Sequence, residues 1–196
     1  VRLPAAVAAG LLAVMLAGPA VADTSGVTNT FDGYRLAVLD GQGAAAGALV
    51  SAATRDFYDA ARLAALAATP QDLERMSLIE AVLVLRLRAV LAPHELSTLD
   101  GAGVFAAAAA RGLVGNGFAD LRLGPVEAYG DHAVAEQLDA AGRPTGTWWR
   151  FVREAGAWRV NLRPNLDAAD AVLRERLQSS GRTRMDFVNQ LAKNGR

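Results

Sequence analysis

Apolar positions recur first at helical spacing along this chain and then, in its second half, at every other residue. From Ala44 to Ala68 the positions Leu49, Ala53, Phe57, Ala60, Ala64 and Ala67 fall on one helical face, and the run stops at Thr69-Pro70. This predicts a first long helix. Thr69 as cap, Pro70 at the first helical position and Asp72 three residues after the cap open a second helix, because that trio satisfies orphan amides and suits the helix dipole. Its stripe is Leu73, Met76, Ile79, Leu83, Leu87 and Val90, widened by Val82, Val84 and Leu85 as far as Pro93, which marks a central, buried helix. Asp100, Phe105, the run Ala106 to Ala110 and Gly112 predict a short third helix with a glycine at its C-terminal end. Ahead of these, residues 23 to 33 are polar and without period, which reads as a mobile leader. Tyr34 to Leu39 is a short apolar run ending at Asp40-Gly41, either a strand or the start of the first helix.

After Gly115-Asn116-Gly117 the runs become short and alternating, at Leu121 to Tyr129, His132 to Leu138, Thr147 to Glu154 and Ala157 to Arg163, with turn residues between them. Four antiparallel strands in a meander follow. Pro125 cannot donate to a ladder and the alternation slips between Leu123 and Val126, so a bulge or an edge position belongs at Gly124-Pro125. Asn165 caps a helix carrying Leu166, Ala169, Leu173 and Leu177, and Thr183 with Asp186 opens a last one carrying Phe187 and Leu191. The predicted class is α+β, with helices packed on a curved antiparallel meander of four or slightly more strands and further helices at the C-terminus. The face assignment rests on the turn at Ala155-Gly156. A two-residue turn sets Arg153 opposite Trp158, Phe151 opposite Val160 and Trp149 opposite Leu162 on the core face. The other face then pairs Trp148 with Arg163, Arg150 with Asn161 and Val152 with Arg159. A bulge at Ala155 would exchange the two faces.

The hairpin Trp149-x-Phe151-x-Arg153-Glu154-x-Gly156-x-Trp158-x-Val160-x-Leu162 resembles the last hairpin of the nuclear transport factor 2-like superfamily, which includes steroid isomerase-like and polyketide cyclase-like proteins. Val126-x-Ala128-x-Gly130-Asp131-x-Ala133-x-Ala135 is similar to that superfamily's first hairpin, and the likeness in element order runs from Leu49 to Leu162. The resemblance implies a cone in which the sheet curls around the helices and leaves an apolar pocket. Isomerase-like members carry a carboxylate base after the second helix, and no position here matches it. Tyr58 stands where some members place a hydroxyl donor, although Phe57-Tyr58 is also an ordinary amphipathic edge.

Arg2 and the apolar run Ala5 to Ala17, followed by Ala20-Val21-Ala22, have the form of an export signal with cleavage before Asp23. The run is shorter than the ~20 residues of a membrane span, so no stable span is expected after cleavage. Val1 fits a GTG start codon and with it an exported bacterial member of the superfamily. The expected organisation is a signal at 1 to 22, a partly flexible leader at 23 to 43, the α+β domain at 44 to 163 and a helical extension at 164 to 196. Cysteine is absent, so no disulfide can staple the domain.

With 52% hydrophobic residues and 20 cations against 20 acids, the chain has neither the composition of a disordered protein nor that of a polybasic nucleic-acid binder. Only His94 and His132 are available as imidazole ligands, which argues against a zinc site. Ser51, Ser77 and Ser97 lack a nucleophile-elbow turn, and Gly101-x-Gly103 lacks the third glycine and the preceding strand of a dinucleotide fingerprint. The cationic C-terminal segment reads as a solvated helix face. These exclusions leave an exported binding module without cofactor, for an apolar small molecule or another protein. The alternative is a pocket enzyme of isomerase or cyclase type with Tyr58, Tyr129, His132 or Glu136 as proton handlers. Candidate ligand-binding residues are Phe57, Tyr58, Tyr129, His132 and Glu136; Trp148, Arg150 and Arg163 are candidates for a partner or homodimer surface on the sheet.

Overall fold

The computed structural model describes residues 24–115 and 118–193; the segment read as an export signal lies outside them. Among the described residues the elements are α1 (Thr24–Leu39), α2 (Gly43–Ala48), α3 (Ala52–Ala67), α4 (Pro70–Arg75), α5 (Leu78–Val90), α6 (Pro93–Thr98), α7 (Gly101–Ala110), β1 (Arg122–Tyr129), β2 (His132–Leu138), β3 (Pro144–Glu154), β4 (Ala157–Asn161), α8 (Arg163–Ser180) and α9 (Arg184–Lys193). The class is α+β, with one open antiparallel sheet in the order β1-β2-β3-β4 and helices following it. No helix among the described residues is long and apolar enough to cross a membrane.

The expected leader is corrected. Thr24 to Leu39 form one helix, which buries Val27, Phe31, Tyr34, Ala37 and Val38. Those positions are spaced by three and four, but they are separated by Thr, Asn, Asp and Gly, all poor helix formers, so tertiary burial rather than local preference makes this helix. The two long helices expected from 44 to 68 and from 70 to 93 are each divided. At the first break Val50 bridges to Val160, with Val160 N–H donating to Leu49 O at 2.8 Å and Ser51 N–H to Val160 O at 2.9 Å. This stretch covers the outer edge of β4, where unpaired backbone groups would otherwise stand open. Ser51 then caps α3, and buried Thr54 Oγ1 accepts from Leu162 N–H at 3.0 Å. At the second break Ser77 and Glu80 form a capping box that starts α5 afresh. Short polar caps inside an apolar period account for both breaks.

The meander has the expected shape. The register slips between Leu123 and Val126, as the Gly124-Pro125 pair requires, and Phe151 faces Val160 while Arg153 faces Trp158. The Ala155-Gly156 turn is a two-residue turn with φ of 49° and 80°. Positive φ at both positions is what the right-handed twist of a hairpin favours, and Ala155 holds it at a cost of ~1–2 kcal/mol. β4 ends at Asn161 and Leu162 caps α8, so the expected pairs Trp149 with Leu162 and Trp148 with Arg163 are not formed. Asn165 likewise lies within α8 and is not its cap, because Pro164 sits in the first turn.

The face assignment stands: Trp149 is 4% exposed and Trp148 is 43% exposed. One core cluster joins α1, α2, α3, α5 and α7 to the inner sheet residues Ala133, Trp149, Phe151, Trp158 and Val160. A smaller cluster packs Phe187 and Val188 of α9 on Leu78, Ala81 and Val82 of α5. Trp149→Ala therefore destabilises the fold by about 3–5 kcal/mol in chemical denaturation, whereas Trp148→Ala changes it by about 0.5 kcal/mol or less. A larger loss for Trp148→Ala would overturn the assignment of faces.

Candidate functional site

A cavity of about 300 Å³ opens where the inner face of the sheet meets α1, α3, the loop after α7 and the start of α8. Its apolar lining comes from Leu113, Val114, Phe118, Trp149, Leu162 and Leu166, and its polar lining from Tyr34, Tyr58, Gln137, Thr147 and Asn165. The rings meet edge to face: Tyr34 lies 5.9 Å from Phe118 and 6.2 Å from Trp149, and Phe118 lies 5.6 Å from Trp149. Such T-shaped contacts hold ring planes at fixed angles and leave faces and edges directed into the space between them.

Each wall has a local cause. Tyr34 belongs to the buried stripe of α1. Gln137 follows Ala133 and Ala135 on the inward parity of β2 and accepts a hydrogen bond at Oε1 from Trp149 Nε1 at 3.1 Å. The loop is held close to α1 by Gly115, with φ of 89°; a Cβ there would lie 2.2 Å from Val38 Cγ1. Only glycine satisfies both the left-handed backbone and that approach. α8 is anchored by Asp170, 4% exposed, whose carboxylate accepts from Ile79 N–H in the first turn of α5 at 3.0 Å and pairs with Arg174 at 2.7 Å. That tie, an acid at a helix N-terminus, fixes Asn165 and Leu166 at the rim.

The cavity is electrically neutral among its described lining residues, which include no carboxylate, imidazole, ammonium or guanidinium group. Tyr34 is 0% exposed, and its hydroxyl has no hydrogen-bond partner among the described residues. Burial pushes the Tyr34 phenol far above its ordinary value, and the nearby Tyr58 phenol adds to the shift. Burial likewise raises Tyr58, with the Arg86 guanidinium opposing it. Both phenols stay protonated and can donate a hydrogen bond throughout the neutral range.

Compared with protein-family models, curated proteins and solved structures, the chain matches none.

Of the five ligand-binding candidates, the structure places only Tyr58 in this cavity. Phe57 is buried next to it, with its ring under the Arg163 guanidinium at 4.9 Å. Tyr129, His132 and Glu136 stand on the other side of the sheet, because the inward positions of β2 are Ala133, Ala135 and Gln137. Tyr129 is 66% exposed and donates to Glu127, His132 is exposed, and Glu136 accepts from Gly146 N–H. They are therefore not proton handlers for this cavity. Trp148 and Arg150 do share a groove on the outer face with Pro164, Ala168, Ala169 and Val172, and Thr147 and Asn165 line both this groove and the inner cavity. Arg163 is not with them; it pairs with Asp167 at 3.1 Å and Glu80 at 3.8 Å. No group of three or more His, Asp or Glu residues among the described residues is placed to hold a metal ion.

Tyr34, Phe118, Gln137 and Asn165 are among the lining residues that sequence reasoning did not assign to a site. Tyr34 was legible in the stripe Val27, Phe31, Tyr34, Val38, and Gln137 in its parity with Ala133 and Ala135. Phe118 and Asn165 had no periodic signal.

The sign of the tyrosine shifts sets an alkaline limit to stability. A phenol whose folded pKa is raised contributes nothing against unfolding below the unfolded value near 10, and costs stability as pH rises above it. Titration followed by phenolate absorbance is expected to show Tyr129 ionising reversibly in the folded protein, and Tyr34 and Tyr58 ionising only with unfolding above pH ~10. Three phenols titrating together without loss of structure would contradict the burial described.

Proposed function

We propose that this chain is an exported binding module that holds a small, uncharged, predominantly apolar molecule in the cavity between α1, α3, α8 and the sheet. The observation that carries the reading is the unpartnered Tyr34 hydroxyl at 0% exposure on the wall of an aromatic cavity. A buried hydroxyl without a partner is costly to the fold by itself, and its place on a ligand-sized cavity gives that cost a purpose. At about 300 Å³ the space is at the small end of ligand pockets.

The nuclear transport factor 2-like reading is the architectural side of the same proposal. Helices preceding an antiparallel meander, with an apolar cavity on the inner sheet face, support it. The isomerase or cyclase alternative draws on Tyr34 and Tyr58 as neutral donors able to polarise a carbonyl. It needs a base as well, and the described lining residues offer none that accepts a proton at neutral pH, which favours binding over turnover. Trp148 and Arg150 support a secondary reading in which the outer groove meets another protein or a second copy.

Native mass spectrometry of the protein purified from its own host tests the main reading. The expected spectrum shows a small neutral mass held by the folded protein and released on denaturation, and it also reports the subunit count. A spectrum of ligand-free protein, together with no protection of Tyr34 contacts by any apolar fragment, would overturn the reading.

A further inference from the structure

We infer that the cavity selects an uncharged, hydroxylated aromatic molecule, with Asn165 accepting from the ligand's hydroxyl and Tyr34 donating to a second oxygen. The inference rests on the binding reading above and names the ligand chemistry within it. The orientation of the Asn165 amide is set by its neighbour: Nδ2 donates to Trp148 O at 3.0 Å. Oδ1 is therefore the free end, buried without a partner, on a residue that stands between this cavity and the outer groove and lines both. An amide oxygen can only accept, so what it lacks is a donor.

The Tyr34 hydroxyl is the complementary vacancy. It is buried, unpartnered and held protonated, so it has a proton to give. Gln137 adds a second fixed donor, because its Oε1 is engaged by Trp149 Nε1, which leaves Nε2 as the other end of the amide. Together with the Tyr58 and Thr147 hydroxyls on the same lining, these groups are all neutral and supply both donors and acceptors, which matches a molecule that carries a hydroxyl and a carbonyl or ether oxygen. They do not match an anion, which would lose its hydration in this cavity without meeting a cation. The edge-to-face rings of Tyr34, Phe118 and Trp149 suit a flat aromatic body.

The selecting residue comes from the helix after the sheet. Asn165 and Leu166 reach the rim because Asp170 ties α8 to the first turn of α5. This arrangement makes α8 part of the binding site as well as a terminal support.

Calorimetric titration with three probes, 4-hydroxyacetophenone, acetophenone and 4-hydroxybenzoate, tests the proposal on the wild type, Asn165→Leu and Tyr34→Phe. The wild type is expected to bind 4-hydroxyacetophenone about tenfold more tightly than acetophenone, and the ionised benzoate more weakly still. Asn165→Leu brings the two ketones to nearly equal affinity. Tyr34→Phe weakens both ketones alike while its melting temperature stays at or above that of the wild type, since the substitution removes an unpaired buried hydroxyl. If Asn165→Leu does not fold, the wild-type probe series and Tyr34→Phe decide the matter. Equal wild-type affinity for the two ketones, or tighter binding of the benzoate, overturns the inference and leaves the binding reading intact. Failure of both ketones beside a host-derived bound mass has the same meaning. Failure of both ketones with ligand-free native spectra overturns the inference and the binding reading together.

Discussion

The packing of α1 across the inner face of the sheet, Phe31 at 4.9 Å and Tyr34 at 6.2 Å from the Trp149 ring, is the contact on which the rest of the structure depends. It joins the first described element to the third strand and is made of the largest side chains in the core. Burying several aromatic rings in one place supplies much of the hydrophobic stabilisation that a cysteine-free chain must obtain from packing. It also sets the floor of the cavity, because the same Trp149 ring that takes the weight of α1 presents its remaining surface to the space beside Phe118. Stability and the proposed binding are thus two uses of one aromatic cluster.

The walls above that floor are brought from distant parts of the chain by polar devices. Asp170 of α8, accepting from the first turn of α5, fixes its helix, Gly115 lets the loop after α7 lie against Val38, and Thr54 secures the end of the sheet to the start of α3. Each is a buried or sterically required contact, and each leaves the cavity itself without charge. The charged groups of α8 pair with one another or with α5, Arg163 with Asp167 and Glu80, Arg174 with Asp170. The result is a neutral space with a few directed hydrogen-bonding groups, a combination that favours recognition of uncharged molecules.

Much of this architecture was legible in the sequence where one physical cause dominated. Alternation fixed the four strands, the Gly124-Pro125 slip announced the bulge, and the parity on either side of Ala155-Gly156 placed Trp149 inside and Trp148 outside. The misses have physical reasons as well. In α1 the helix formers are weak and only tertiary burial makes the helix, so local periodicity was masked by Thr, Asn and Gly. Ser51 and Ser77 end one helix and begin the next within an uninterrupted apolar period, where caps are hard to distinguish from interior serines. The site was less legible than the fold. Tyr129, His132 and Glu136 carry the more reactive chemistry but face away from the cavity, and Asn165 gains its place only through a tertiary tie ninety residues away in the chain, about the separation of Ile79 from Asp170.

Hydrogen–deuterium exchange across residues 24 to 39 tests the central claim most directly, since it asks whether α1 is a structural member of the core. The account predicts that amides around Phe31 to Val38 exchange as slowly as those around Trp149 and Phe151, and slow further when a ligand is bound. Exchange of this segment at the rate of an unstructured peptide, with the sheet still protected, would contradict it, because the cavity would then lack its α1 wall and its buried hydroxyl.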